Sequence, residues 1–125
     1  MVHMPSHIYI RVGQYDKAIA SNERSIAADR FFLTGWGSIP FPTIGTYGLS
    51  ARTHPAHAWD FIRFAAMLQG NYARTVEAAR ASAAGQTHSM GVGRRRIATT
   101  WLVHKIFGKW DAVLAEPAPH DKSAY

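Results

Sequence analysis

Apolar residues return along this chain at steps of three and four, and the periodic stretches are separated by triplets in which a glycine stands two residues before an aromatic. The triplets are Gly13-Gln14-Tyr15, Gly70-Asn71-Tyr72 and Gly108-Lys109-Trp110. A 3.6-residue period is the signature of an amphipathic helix, and a repeat of the same corner is the signature of stacked helix pairs. Glycine suits such a corner because it enters left-handed backbone geometry without a Cβ clash, and the aromatic can fold back over the joint. A β-branched residue at Gly13 should therefore loosen the first pair.

Three units follow from this pattern, at about 5–29, 56–83 and 94–116. In the first, Ile8, Ile10 and Val12 lead into Gly13, and Ala18, Ile19, Asn22, Ile26 and Ala27 then share one face of a helix of roughly four turns. In the second, Trp59, Ile62, Ala65, Ala66 and Leu68 point inward before the corner and Val76, Ala79 and Ala83 after it, with small alanines allowing close approach. The third carries Ile97, Trp101, Leu102, Lys105 and Ile106 on successive turns, then Trp110, Val113 and Leu114 before Pro117 and Pro119 end it. The expected fold is all-α: antiparallel helix pairs stacked as an α-solenoid fragment, a single domain over 1–125. The stretch at about 30–53 is rich in Gly, Pro, Ser and Thr yet contains Trp36, Phe41 and Tyr47, and reads as one long loop packed over the helices.

Composition narrows the chemistry. With 125 residues, 47% hydrophobic and 18% charged, the chain has the makeup of one folded domain. It has no cysteine, which removes disulfides and thiolate metal sites. No apolar run is long enough for a membrane span, and His3, Pro5, His7 and Arg11 interrupt the place of a secretory signal, so a cytoplasmic, soluble protein is expected. Lys and Arg outnumber Asp and Glu by 14 to 8, a surplus scattered except at Arg94, Arg95 and Arg96. Cations there, at the start of a helix, oppose its dipole. Either an acidic side chain from elsewhere in the fold answers them or they bind the phosphate or carboxylate of a partner. No nucleic-acid-binding signature surrounds them, and a nucleic-acid partner is the least favoured reading.

Histidine is the remaining candidate. His3 with His7, and His54 with His57, are spaced so that each pair can share a helix face, and both clusters open the first helix of a unit. Stacking can bring them together into a four-histidine site for zinc or copper, with Asp29 and Asp60 as acids that hydrogen-bond and orient the ligand rings. The alternative is that these histidines cap helices or fill polar corners of the core. Gly48-Leu49-Ser50-Ala51-Arg52 lacks the last glycine of a nucleophile elbow, and no H-E-x-x-H motif or phosphate-binding loop is present.

The stretches His3-Met4-Pro5-Ser6-His7-Ile8-Tyr9, Gly13-Gln14-Tyr15 and Asn22-Glu23-Arg24-Ser25-Ile26-Ala27-Ala28-Asp29 resemble a segment of large bacterial tetratricopeptide-repeat proteins. His54-Pro55-Ala56-His57 is similar to their H-N-x-H segment, with Pro55 in place of the asparagine, and Gly108 to Pro119 is similar to a later segment. The loop from Leu33 to Thr53 departs from the pattern. The resemblance implies that the chain is a section of a longer array, and arrays of this kind present a surface to a peptide or protein partner. A binding or scaffolding module is thus the leading functional expectation, with homodimerisation through the exposed faces of the first and last helices. The runner-up is a small metal-dependent hydrolase or oxidoreductase using the four histidines.

Overall fold

The computed structural model describes residues 2–36, 53–84, 96 and 98–117, with side chains omitted at 32–36, 53 and 54. Helices form throughout the described residues: α1 (Ser6–Arg11), α2 (Tyr15–Trp36), α3 (Thr53–Leu68), α4 (Tyr72–Ala83), α5 (Thr99–Ile106) and α6 (Trp110–Ala115), with no strand among them. Each helix packs on its neighbours in the chain: α1 on α2, α2 on α3, α3 on α4, α4 on α5 and α5 on α6. None is long and apolar enough to cross a membrane.

The three glycine corners share one hydrogen-bond pattern. At the first, Gly13 N–H donates to Ile10 O at 3.3 Å and Gln14 N–H to Tyr9 O at 2.8 Å. Gly70 and Asn71 repeat the pair onto Met67 and Ala66, and Gly108 and Lys109 onto Lys105 and His104. This double closure is the Schellman ending, which requires left-handed backbone at the glycine. Gly13, Gly70 and Gly108 have φ of 74°, 71° and 64°. An added Cβ would meet nothing within 4 Å, so a substitution there is opposed by backbone strain and not by crowding.

Two apolar clusters make the core. Ile26 of α2, Ala58 and Ile62 of α3 and Ala78 of α4 form the first, with Ile19 and Trp59 against it. Val76 and Ala79 of α4 and Val103 of α5 form the second, with Tyr72 and Phe107 alongside. Ala65 and Ala66 are fully buried, the close approach that the alanine spacing predicts.

Several expected positions differ. The second helix runs 22 residues, to Trp36, so helix occupies the first part of the stretch read as loop. Residues 37–52 lie outside the described residues, and Thr53, the last of the stretch, opens α3. Leu68 is exposed rather than inward. On α5 the buried face carries Thr100, Val103 and His104, while Leu102, Lys105 and Ile106 face outward. Hydrophobicity alone selects the wrong face there, because a histidine with partners at both ring nitrogens is a stable interior residue. Trp110, expected to cover its corner, is 61% exposed.

Asp60 joins α3 to its surroundings. Its carboxylate accepts from Ser82 Oγ at 2.6 Å and from Arg96 Nε at 2.7 Å. Arg96 is thereby engaged by an acidic side chain of the fold, whereas Arg94 and Arg95 lie outside the described residues.

Candidate metal centre

The first turn of the chain is laid against α2 by a row of small polar side chains. Ser21 Oγ donates to Val2 O at 2.6 Å, and Ser6 Oγ donates to His3 O at 2.7 Å. These contacts carry the His3 side chain inward, where it is 6% exposed, and place His7 one turn further on, in α1.

Asn22 then fixes the His3 ring. Its amide Nδ2 donates to Ala18 O at 2.8 Å, which turns Oδ1 toward His3 Nδ1 at 2.6 Å. An amide oxygen only accepts, so His3 Nδ1 carries the proton and Nε2 presents its lone pair outward. That lone pair accepts from His7 Nε2 at 3.1 Å, and His7 carries its proton on Nδ1 instead when both Nε2 atoms face one ion. Two nitrogens bound to one tetrahedral zinc lie about 3.3 Å apart, given a bond length of roughly 2.0–2.1 Å. The His3–His7 pair is set near that spacing.

His57 completes the group from α3. Its ring centroid lies 4.8 Å from that of His3, and the candidate ligand nitrogens of His3, His7 and His57 all fall within 4.8 Å of one another. Phe61, one turn beyond His57, packs against all three imidazoles, with ring centroids 4.6 Å from His3, 4.5 Å from His7 and 5.0 Å from His57. The cluster thus rests on an aromatic floor and opens to solvent at the exposed His57. His57, on the exposed side, is the ligand with room to change rotamer toward an ion held by the other two.

Of the four histidines expected from sequence, three come together. His54 lies in the first turn of α3, three residues before His57, and its side chain is outside the described residues. Asp60 spends its oxygens on Ser82 and Arg96, and Asp29 lies on α2 about two turns beyond Asn22. The residue that orients a candidate ligand is Asn22, which sequence spacing marks only as an inward position of α2.

A second polar chain lies at the other end of the fold. Glu116 Oε2 accepts from Arg80 Nη2 at 2.9 Å and from His104 Nε2 at 3.1 Å. His104 Nδ1 lies 2.9 Å from the Tyr72 hydroxyl, at hydrogen-bond distance. These residues edge an open cleft of about 410 Å³, walled by Ala73, Val76, Ala112 and Ala115. Burial pushes the Glu116 carboxyl up, but the hydrogen bonds from His104 and Arg80 and their positive charge outweigh it and hold the group below its ordinary 4.5. A carboxyl lowered by folding stabilises the native state fully above its unfolded value, and that contribution fades as pH falls through the lowered folded value. Glu116→Gln should therefore flatten the loss of stability below pH 4.5 relative to the parent protein, as read by denaturant midpoints across an acid series. Equal acid slopes in the two proteins would count against the network.

The chain matches no family profile, no curated protein and no solved structure.

Proposed function

We propose that this chain is a transition-metal-binding helical module, built of tetratricopeptide-like pairs, that takes zinc or copper through His3, His7 and His57. The observation that carries the reading is the His3 ring, locked by Asn22 with Nε2 directed at His7 Nε2 and with His57 alongside. Neutral imidazoles suit both ions, and three of them leave a tetrahedral ion one further position. His57 is exposed, so solvent reaches the cluster, and an open position is what a hydrolytic or oxidative centre needs, which supports an enzyme reading of the same site.

Elemental analysis of untagged protein dialysed against zinc tests the proposal. One ion per chain is expected, with the stoichiometry falling on His3→Ala and on His57→Ala. Metal-free protein, or retention of the same stoichiometry in both variants, would overturn it.

A partner-binding role has its own support in the apolar residues left exposed at the two ends. Met4, Ile8 and Val12 are 58%, 62% and 59% exposed beside the first helix, and Trp110 and Leu114 are 61% and 86% exposed on the last. Soluble monomers seldom leave such groups uncovered together. Sedimentation should show a homodimer that becomes monomeric with Ile8→Glu or Leu114→Glu. A monomer in the unmodified protein rules out self-association.

A further inference from the structure

We infer that the same metal ion is a clasp that fastens the first helix to the body of the fold, an inference that rests on the reading of the histidine cluster as a metal centre. The ligands come from two places that differ in how firmly they are held. His57 belongs to α3, whose neighbours Ala56 and Ala58 are 3% and 1% exposed and whose faces pack on both α2 and α4. His3 and His7 belong to the opening segment and α1, a helix of six residues whose only buried residue is Ser6.

The opening segment is poorly secured by apolar burial. Met4, Ile8 and Val12 are all more than half exposed, and Pro5 at the helix start supplies no side-chain cap. A helix this short has no independent stability, since nucleation costs more than one or two turns return. Polar contacts hold it to α2 through Ser21 and Asn22, and His7 meets α3 on the face of Phe61. Segments with few buried apolar groups open first and most often.

An ion shared by His3, His7 and His57 would join that segment to α3 directly. Binding that requires the closed segment stabilises it by mass action, and the open population falls in proportion to one plus the ratio of free ion to dissociation constant. Metal supply then decides how often residues 2–12 lift away and uncover Phe61 and the polar row on α2. The ion acts on the first helix and leaves the α4–α5–α6 end unchanged.

Arg11 provides the readout, because it ends α1, is exposed, and offers a trypsin site that becomes cleavable when α1 opens. The full chain is digested with and without zinc while zinc binding is measured on the same sample, and cleavage after Arg11 and after Lys109 is followed by mass spectrometry. With free zinc at one hundred times its dissociation constant, cleavage after Arg11 should slow by about a hundredfold and cleavage after Lys109 should hold its rate. His57→Ala should abolish the protection at Arg11 even if His3 and His7 still take up ion, since both lie on one segment; helix content by circular dichroism checks that this surface variant is folded. Zinc that binds without slowing the Arg11 cut, or that slows both cuts equally, overturns the clasp and leaves the metal centre standing. Failure of zinc to bind overturns both.

Discussion

Asn22→Ala is expected to weaken zinc binding by about 10- to 100-fold although residue 22 touches no ion, because the group that hydrogen-bonds a ligand histidine fixes the ring and tautomer that a metal requires. Asn22 is fully buried and its amide is committed at both ends, to Ala18 O and to His3 Nδ1. Alanine leaves the buried His3 N–H without its acceptor, a loss of about 1–3 kcal/mol to which the cavity adds. The ring is then free to rotate, and Nε2 no longer waits opposite His7. Asn22→Asp separates positioning from packing: it restores an acceptor of similar shape, so zinc affinity should return while stability stays below that of the parent, because a carboxylate is costly to bury. Competition titration against a chromophoric chelator gives the affinities, and urea unfolding gives the stabilities. Parental affinity in Asn22→Ala would show that His3 is not a ligand oriented from α2.

The all-helical architecture was readable because two signals agree along the chain. The apolar period marks the helices, and Gly13, Gly70 and Gly108 mark the places where left-handed backbone is needed, which the same double hydrogen bond confirms at each corner. Where a buried face is polar, the reading fails. Ser21, Asn22, Ser25, Thr75, Ser82, Thr100 and His104 are all buried, and no hydropathy pattern announces a side chain whose interior place depends on a partner far away in sequence. On α5 the apolar period marks Leu102 and Ile106, whereas the bonds from His104 to Tyr72 and Glu116 turn the face of Thr100, Val103 and His104 inward.

The histidine cluster was legible to the same degree. Spacing identifies His3 with His7 and puts His57 at the equivalent place in the next unit, which is enough to suggest one site. The orienting group could not be found by looking for nearby acids, because the part is played by an amide on α2, brought beside His3 by packing and not by sequence distance. Asp60, the acid at hand, is engaged by the Ser82 hydroxyl of α4 and by charge pairing with Arg96 in the segment before α5. Spacing thus locates ligands on one element, while the shell around them depends on tertiary contacts.

Ile62→Ala is expected to produce the largest loss of stability in the chain and to carry the metal centre with it. Ile62 is fully buried between α2 and α4 in the cluster with Ile26, Ala58 and Ala78. Those alanines have no side-chain length with which to refill the space, so a cost toward the upper end of the roughly 2–5 kcal/mol for such truncations is expected. That is a large share of the roughly 5–15 kcal/mol that holds a domain together. Because Ile62 follows Phe61 on α3, loosening this cluster also frees the aromatic floor under His3, His7 and His57. Val103→Ala provides the contrast, since Val103 belongs to the second cluster, between α4 and α5. Where the most extensive helix contacts join chain neighbours, a defect is felt mainly at its own interface. Hydrogen exchange should therefore show Val103→Ala opening α5 and α6 while α2 and α3 stay protected and zinc affinity holds, and Ile62→Ala exposing α2, α3 and α4 together with loss of zinc. Equal effects of the two variants on zinc binding would mean that the fold answers as one cooperative block, and that neighbour-to-neighbour packing does not isolate the centre.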